Sequence, residues 1–540
     1  MAFNLKSFIS EPERLNREIM MQKRFLSRFI LVAILFWLVG PAPQTLTAQA
    51  LEPIVYTLKF PAPDTHLAEV EVKVPTGKRA AIDLMMAVWS PGFYRVENYA
   101  TRVQDFAAHT TDGKTLQFEQ PEKNRWRIQT GGQPTVIVSY RLLCQGRSVT
   151  TNWVGNDLAV LNGPATFITL VEKARRPHDV KLELPTVWKS SMTSLDAALG
   201  GSPNHYRAPD YDTLADSPIV AGNLIVNEFE VGGSKHYVVD AGEVGQWESK
   251  RAAQDLEKIV RETHRFWGFL PFKKYAFLNM FRQGGGGLEH LNSTLITSSS
   301  ARSSTPDVRW LAFVSHEYFH AFNVKRLRPV ELGPFDYEHP PSTTSLWISE
   351  GLTTYYGDLM VIRSGLCTTQ DYLARLSSHI GQLQTSPGRL VQTLNQASLN
   401  VWTAGTSGVG QDNNTTVSYY VKGPVVGFLL DAKIQRVTGG KKSLDDVMKL
   451  AYKRYSGERG FTAEEFRQAA EEVAGVDLKE WFRKSLASTE ELDYTEALDW
   501  FGLRFTPSEE PTKAWKLEVR EDAPEASKSH LRKLVGQVGK

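Results

Sequence analysis

Residues 311–323 read LAFVSHEYFHAFN, and this stretch decides how the rest of the chain is interpreted. Residues four apart on a helix project from one face, so His316 and His320 can bind one metal ion together. Glu317 lies beside them and is placed to polarise a water molecule on that ion. The flanking side chains are mainly apolar, which predicts a buried helix, and buried histidines need a partner such as a metal ion. Two surface histidines on a helix are the alternative interpretation.

A catalytic zinc ion takes three protein ligands and keeps one position open. The best third candidate is Glu350, in the segment SLWISEGLTTYYGD (345–358), which predicts a second helix after the first. Apolar neighbours indicate that Glu350 is buried rather than solvated. His339 lies in a proline-rich loop and is a weaker candidate. Asp358, two turns further along the second helix, is better suited to support a ligand than to bind the metal.

The composition of the 540 residues excludes several classes of protein. Hydrophobic residues make up 41%, charged residues 23%, and the mean hydropathy is −0.30, which excludes a polytopic membrane protein and a largely disordered chain. A formal net charge of +2 gives no electrostatic signature of nucleic-acid binding. Cys144 and Cys367 are too few for a disulfide scaffold, and the sequence does not tell whether they pair.

Residues 1–50 have the pattern of an export signal. The apolar run FILVAILFWLV (29–39) follows three basic residues and precedes the small-residue site AQA (48–50). The run is shorter than the about 20 residues that span a bilayer, so we expect cleavage after Ala50, with a retained anchor or a buried core helix as alternatives. Without this segment the chain has 56 basic and 57 acidic residues. The expected product is nearly neutral and exported, either periplasmic or secreted.

The hydrophobic period changes along the chain. Short alternating runs such as VEVKV (70–74) and TVIVSYRLL (135–143), separated by turn residues, predict antiparallel β structure in the first half. Near residue 246 the spacing becomes helical, and that helix ends at Gly268. A strand is predicted at 275–281, and the chain from 308 to about 485 is predicted to be mainly helical.

Several segments together resemble one family of peptidases. The His-Glu-x-x-His motif with a downstream Trp-x-x-Glu-Gly (347–351) is similar to the gluzincin metallopeptidases, whose third zinc ligand is that glutamate. Four segments resemble the M61 glycyl aminopeptidase family: HEYFHAFNVKRLRP (316–329), GGGGLEH (284–290), WSPGFYRVENYA (89–100) and LADSPI (214–219). The resemblance, over about residues 52–505, implies one Zn²⁺ on His316, His320 and Glu350. It also implies removal of N-terminal residues, mainly Gly or Ala, from peptides.

The resemblance also implies a fold. Members of the family have a β-rich N-terminal domain and a thermolysin-like zinc domain, and they usually end with a PDZ domain. The residues after Phe505 include few apolar side chains and no further predicted strands, so we expect only an incomplete PDZ-like segment there. The expected fold is multidomain: a signal peptide or anchor (1–50), an antiparallel β-sandwich-like domain (51–225), a thermolysin-like α+β zinc-binding catalytic domain (226–365), its helical continuation (366–490) and the PDZ-like segment (491–540).

Two further motifs acquire roles from the resemblance. In related zinc aminopeptidases the glutamate corresponding to Glu289 holds the free amino group of the substrate, and the glycines Gly286 and Gly287 let a peptide lie against the strand edge. A flexible glycine loop with an incidental glutamate is the alternative. Tyr420, in a Tyr-x-Lys-Gly motif, is the expected stabiliser of the tetrahedral intermediate, although the adjacent Tyr419 could take that place and either tyrosine could be a core residue.

Two other functions remain open at this level. The same chemistry would serve a zinc endopeptidase, although Glu289 argues against it, and a non-catalytic exported peptide-binding protein could keep the fold. The basic run Lys325, Arg326 and Arg328 could meet a peptide carboxylate or form salt bridges. The expected partners are peptides with a free N-terminus and no nucleic acid, with membrane contact only if the N-terminal segment is retained. The oligomeric state is not predicted.

Overall fold

The N-terminal part is built from strands whose side chains alternate between core and solvent. In the strand Leu67–Pro75 the side chains of Val70, Val72 and Val74 are buried and those between them are exposed. The computed structural model describes residues 51–172, 174–298, 304–403, 412–507, 510 and 514–537. The predicted signal peptide or anchor lies outside these residues. Among the described helices, none combines the length and the apolar character needed to cross a bilayer.

Three sheets and a hairpin make up this β-rich part, and buried residues of the three sheets share one core. The largest has seven strands in the spatial order Asp196–Ala197, His205–Ala208, His178–Glu183, Ile54–Lys59, Leu67–Pro75, Thr135–Leu143 and Val103–Thr110. The two four-stranded sheets are Trp153–Val154, Leu158–Leu161, Ile219–Gly222 and Ser190–Thr193, and Thr169–Leu170, Ala81–Met85, Arg125–Gln129 and Phe118–Glu122. The hairpin pairs Trp89–Ser90 with Phe93–Val96.

The prediction of a purely antiparallel domain is wrong in one place. Ile54–Lys59 pairs in parallel with His178–Glu183, while its other neighbour, Leu67–Pro75, is antiparallel. A parallel pair needs a long connection, and here the intervening strands supply it. Pairing between segments so far apart in sequence leaves no trace in the local alternation.

A five-stranded sheet begins the catalytic part. Its strands lie in the order Ile225–Val231, Ser234–Gly242, Lys274–Phe281, Ser293–Ser298 and Gly286–His290. The three middle strands are mutually parallel, and the helix Ser249–Trp267 connects the first two of them. Gly286–His290 is antiparallel to its neighbour and forms the edge. Among the described strands, none pairs with the other side of this glycine-rich strand, so that side is available to another chain.

Helices follow, as the sequence predicted. The main ones are Val308–Phe319, Thr353–Arg363, Thr369–Thr385, Leu394–Leu399, Tyr419–Val437, Leu444–Tyr455, Ala463–Ala474, Lys479–Ala487, Thr495–Phe501 and Glu525–Leu534. A π-helix, Trp347–Leu352, leads directly into Thr353–Arg363. Shorter helical turns are Pro63–Thr65, Tyr99–Arg102, Gly163–Thr166, Tyr211–Ala215, Val330–Leu332, Pro387–Leu390 and Val401–Thr403.

The last segment packs against these helices. Leu503–Phe505 and Leu517–Val519 form an antiparallel two-stranded sheet. The helix Glu525–Leu534 follows, and the Arg363 Nε donates a hydrogen bond to its Leu534 carbonyl at 2.9 Å. The PDZ-like assignment of residues 491–540 stays a prediction. Cys144 and Cys367 are both free thiols.

Two glycines allow the π-helix to touch the helix Tyr419–Val437. A Cβ at Gly423 would lie 2.6 Å from the Gly351 Cα, closer than real Cβ atoms approach. This contact gives a physical reason for the glycine in the Tyr-x-Lys-Gly motif. It also brings the first turn of one helix beside the residue that precedes Gly351, which is Glu350.

We expect Gly423→Ala to destabilise the protein by about 1–3 kcal/mol, the usual cost of overpacking a close contact. The measurement is the midpoint of thermal unfolding. Gly427→Ala is the matched control in the same helix and should destabilise less, because its Cβ would meet side chains rather than backbone: the Leu352 Cδ2 at 2.9 Å and the Tyr355 Cγ at 3.3 Å. Equal stability of Gly423→Ala and wild type would contradict the role of this contact.

Candidate metal centre and substrate cleft

Three side chains from two helical segments converge on one point. The Nε2 atoms of His316 and His320 lie 2.9 Å apart, and an oxygen of Glu350 lies 3.6 Å from the first and 3.3 Å from the second. Ligands 2.0–2.2 Å from a tetrahedral zinc ion are separated from one another by roughly 3.3–3.6 Å, so both histidine–glutamate distances match. Among the described residues these three form the one group of donor atoms with metal-binding spacing. The donor set therefore fits a zinc ion.

Hydrogen bonds fix both imidazoles in the form that can bind a metal. The His320 Nδ1 lies 2.9 Å from the carbonyl of Asn323, which can only accept, so Nδ1 carries the proton and Nε2 is free. The His316 Nδ1 lies 3.2 Å from the hydroxyl of Thr354, which itself donates to the Glu350 carbonyl at 2.9 Å. That hydroxyl therefore accepts from Nδ1 and again leaves Nε2 free. Such partners orient the ligands of protein zinc sites.

Asn323 joins the two ligand-bearing segments. Its side-chain nitrogen donates to the Ile348 carbonyl at 2.7 Å and to the Thr353 hydroxyl at 2.9 Å. The chain then turns sharply at Val324, whose φ is 125°. A branched residue in this region is strained, and such strain persists only where the surroundings enforce it. Asn323 and its tight turn therefore hold the distance between His320 and Glu350.

Glu350 lies in the π-helix, a conformation frequent at functional sites. Only 1% of its surface is exposed. Burial alone would raise its pKa, but His320 and His316 outweigh burial and hold the pKa of Glu350 well below its ordinary range. Tyr94, from the N-terminal β-hairpin, approaches the second carboxylate oxygen, with its hydroxyl 3.4 Å away. Glu350 is thus an anion with one oxygen directed at the histidines.

Glu317 is buried beside the histidines, against the glycine-rich strand. A Cβ at Gly287 would overlap the Glu317 carboxylate and the tip of Phe313. Burial raises the pKa of Glu317 well above its ordinary value, while His320 acts in the opposite direction. A carboxylate of raised pKa close to the metal ligands can accept and return a proton.

Glu289 lies on the same strand as Gly287, two residues further along. Its carboxylate is covered by the Cα of Gly92, where any side chain would overlap it. Burial raises the pKa of Glu289 to about 7, and His320 opposes this shift. The Oε1 atom is buried without a hydrogen-bond partner among the residues that the structure describes. An unpaired buried acceptor of this kind is costly unless a ligand supplies the donor.

The two candidate tyrosines lie in different surroundings. Tyr420 lines the cleft, with its ring centroid 6.1 Å from that of His316. Tyr419 is fully buried and does not line the cleft. Burial raises the pKa of Tyr420, and Glu350 raises it further, so the phenol keeps its proton. Tyr420 rather than Tyr419 is therefore positioned to donate to a group bound at the metal site.

The candidate metal ligands, Glu317, Glu289 and Tyr420 line one cavity of about 1010 Å³. The predicted residues found there are Gly286, Gly287, Glu289, His316, Glu317, His320, Glu350, Asp358 and Tyr420. His339 is exposed and bonded to Asp336, away from the cavity.

The basic residues that follow the helix Val308–Phe319 make structural contacts within the protein. The Lys325 ammonium pairs with the buried Asp216 at 2.8 Å, and Arg326 donates to the Ala321 carbonyl at 2.7 Å. Arg328 donates to the Gly457 carbonyl at 2.9 Å. Asp216 also lies 3.0 Å from His290 Nδ1, so it connects the β-rich part to the strand that carries Glu289.

Thr354, Asn323 and Tyr94 were not predicted from the sequence as site residues. Thr354 had a local signal, because it lies four residues after Glu350 on the same helix face. Asn323 closes the quoted motif but is an ordinary residue at the end of a helix. Tyr94 comes from another part of the chain, and only its place in a resembling segment marked it.

We expect Thr354→Val to weaken zinc affinity by about 10–100-fold, because the His316 ring loses the acceptor that orients it. The measurement is a zinc titration against a competing chelator. Ser364→Ala, which removes a hydroxyl at the end of the same helix, should leave the affinity unchanged. An unaltered affinity in Thr354→Val would contradict the orienting role of its hydroxyl.

Comparisons with known proteins agree with this geometry. No curated protein matches the sequence. The structure is similar to the crystal structure of an aminopeptidase N family protein from Idiomarina loihiensis, with 26% identity, a TM-score of 0.79, and coverage of 84% of this chain and 79% of that chain. An M1 zinc metallopeptidase from Deinococcus radiodurans, bound to Tyr-Ser-Ala, shares the fold at 14% identity and a TM-score of 0.50, over 82% of this chain and 95% of that one.

Two family models match the chain in order. The Peptidase M61 N-terminal domain matches residues 55–223, and the M61 glycyl aminopeptidase model matches residues 309–426. The second match contains all three candidate metal ligands. The chain therefore belongs to the M61 glycyl aminopeptidase family and is a zinc peptidase.

Proposed function

We propose that the protein is an exported aminopeptidase that removes a single N-terminal residue, mainly Gly or Ala, from peptides. The observation that carries this proposal is the buried Glu289 carboxylate, which shares a cavity with the metal ligands and has an oxygen without a partner among the described residues. An anion placed there suits the ammonium group of a free N-terminus. The cation would also lower the pKa of Glu289 and keep it ionised.

His316, His320 and Glu350 would hold one zinc ion. Bound there, zinc would lower the pKa of water to about 7 and polarise the scissile carbonyl. Glu317 accepts a proton from the attacking water and later delivers it to the leaving amine. Its raised pKa suits both halves of this transfer.

Tyr420 donates its hydroxyl proton to the oxyanion that forms at the scissile carbonyl. A preorganised donor of this kind contributes about 2.7–4 kcal/mol to transition-state stabilisation. Its raised pKa supports the role, because a neutral phenol is required for donation.

The edge strand orients the substrate. Within the part of the chain that the structure describes, Gly286–His290 has a paired strand on one side only, so an extended peptide can add to its other edge through backbone hydrogen bonds. Gly286 and Gly287 line the cavity and present no side chain to a peptide lying there. This arrangement would place the first peptide bond beside Glu317.

A preference for small first residues is supported by the wall next to Glu289. Gly92, Phe93 and Tyr94, from the N-terminal hairpin, line this end of the cavity, and Gly92 lies directly on the Glu289 carboxylate. The hairpin leaves little room beside the amino-group site. Gly and Ala have the side chains that need least room.

The activity is tested by hydrolysis of Gly- and Ala-anilides together with metal analysis. We expect one zinc ion per chain, loss of hydrolysis on chelation and recovery on adding zinc. Glu317→Gln should keep the zinc and lower kcat by about 10²–10⁴-fold, because the general base is gone. Glu472→Gln, an exposed carboxylate paired with Arg454, is the control and should behave as wild type. Wild-type rates in Glu317→Gln would contradict the mechanism, and zinc binding without hydrolysis by wild type would favour a peptide-binding protein.

Acetylation of the substrate separates an aminopeptidase from an endopeptidase. We expect the free-amine peptide to be cleaved and its N-acetyl form to resist, because Glu289 then has no cation to bind. Glu289→Gln should lower kcat/KM for the free amine by at least about tenfold, as expected for loss of a charge-assisted hydrogen bond. Cleavage of both peptides at similar rates would identify an endopeptidase.

A further inference from the structure

The end of the cavity remote from Glu289 has its own charged cluster. Asp358, Arg375 and His379 line it, and neither Arg375 nor His379 is used in the mechanism above. The Arg375 Nε donates to Asp358 Oδ1 at 2.6 Å, and the His379 Nε2 lies 3.6 Å from the other oxygen of that carboxylate. This cluster faces the same space as the metal ligands.

Two contacts establish that this cluster and Glu289 lie on opposite sides of the metal ligands. Glu289 lines a small pocket together with Val324 and Lys325, which follow the C-terminal end of the helix Val308–Phe319. The second helix runs the other way: Thr353 contacts Asn323, whereas a Cβ at Gly357 would lie 3.1 Å from the His316 backbone and 3.2 Å from the Ala312 carbonyl. Asp358 follows Gly357 and so lies toward the N-terminal end of the first helix.

The Arg375 guanidinium is fixed by Asp358 and still has donor groups available to a ligand. Only 7% of the Asp358 side chain is exposed, against 28% of that of Arg375. Among the described residues, Nε is the one nitrogen of this guanidinium for which the structure gives a hydrogen bond. Both Nη groups are left for a ligand, and a guanidinium fixed in this way can grip a carboxylate with two parallel hydrogen bonds.

The distances suit a short peptide. Asp358 lies four residues beyond Thr354, which contacts His316, and four helical residues advance by about 6 Å. An extended peptide advances by about 3.3–3.6 Å per residue. A chain whose first carbonyl is at the metal site would therefore bring the carboxylate of its second or third residue to Arg375.

We propose that Arg375 forms a carboxylate subsite that binds the C-terminal carboxylate of the substrate, so that the enzyme acts preferentially on di- and tripeptides. The proposal rests on the proposed aminopeptidase function and adds the substrate class. Glu289 binds the amino group at one end of the cavity, and Arg375 binds the carboxylate at the other. An acidic side chain at the third residue would offer the same chemistry, so the test separates these two sources.

The experiment uses the zinc-loaded full chain and initial rates on three peptides: Ala-Ala-Ala as the free acid, Ala-Ala-Ala-amide and Ala-Ala-Asp-amide. We expect KM for the acid to be at least about tenfold lower than for the plain amide. Ala-Ala-Asp-amide should resemble the plain amide. A preference for Ala-Ala-Asp-amide equal to that for the acid would instead assign Arg375 to acidic side chains and overturn the proposal.

Variants of Arg375 test whether this side chain causes the preference for the free acid over the amide. In Arg375→Gln the ratio of kcat/KM for acid over amide should fall close to one, and Arg375→Lys should retain part of it, because lysine keeps the charge but not the fork. Arg309→Gln removes another positive charge that lines the cavity and should leave the ratio within about twofold of wild type. An equal loss in both variants would indicate a general electrostatic attraction and overturn the subsite.

The wild-type ratio of kcat/KM for acid over amide tests the carboxylate subsite even if Arg375→Gln does not fold. Equal rates on acid and amide would refute the carboxylate subsite and leave the aminopeptidase intact. Failure of the zinc-loaded enzyme to cleave any of the three peptides would refute both the proposed function and this inference.

Discussion

Three buried carboxylates lie beside the two histidines of the metal-binding motif in one cavity, and this concentration of polar groups needs a cation. Glu350, Glu317 and Glu289 each have no more than 4% of their surface exposed. Isolated charges in such surroundings cost several kcal/mol each unless they are paired. A divalent ion between the histidines and Glu350 would stabilise the first of these carboxylates and the ammonium group of a substrate the third. The fold can be understood as a frame that keeps these groups together in spite of their mutual repulsion.

Most of that frame consists of contacts between segments that lie far apart in sequence. Asn323 joins the end of the helix Val308–Phe319 to the π-helix that carries Glu350 through hydrogen bonds of its side chain. The contact between Gly351 and Gly423 brings the helix Tyr419–Val437, which carries Tyr420, against that same π-helix. Asp216 joins the β-rich part to Lys325 and to the strand of Glu289. Each contact positions a group that has a role in the proposed chemistry, so stability and the proposed function depend on the same residues.

The sequence alone predicted what depends on local periodicity or on a motif. His316 and His320 could be paired because helical spacing is a local property. The strand at 275–281 matches Lys274–Phe281 for the same reason. The family and the zinc peptidase activity were predicted correctly from the motifs, and the comparisons confirm them. The parallel pairing of Ile54–Lys59, the approach of Tyr94 and the position of Arg375 could not be predicted, because they arise from tertiary contacts between residues of ordinary type.

The hairpin Trp89–Val96 reaches from the β-rich part into the catalytic cavity. Gly92 covers the Glu289 carboxylate, the proposed amino-group site, and Tyr94 approaches Glu350, a candidate metal ligand. The two parts are therefore not interchangeable modules. A β-rich domain transplanted from a relative would have to bring a turn of matching shape, or the cavity would lose one wall. Substrate choice in such enzymes can consequently change through substitutions in a domain that carries neither the metal nor the base.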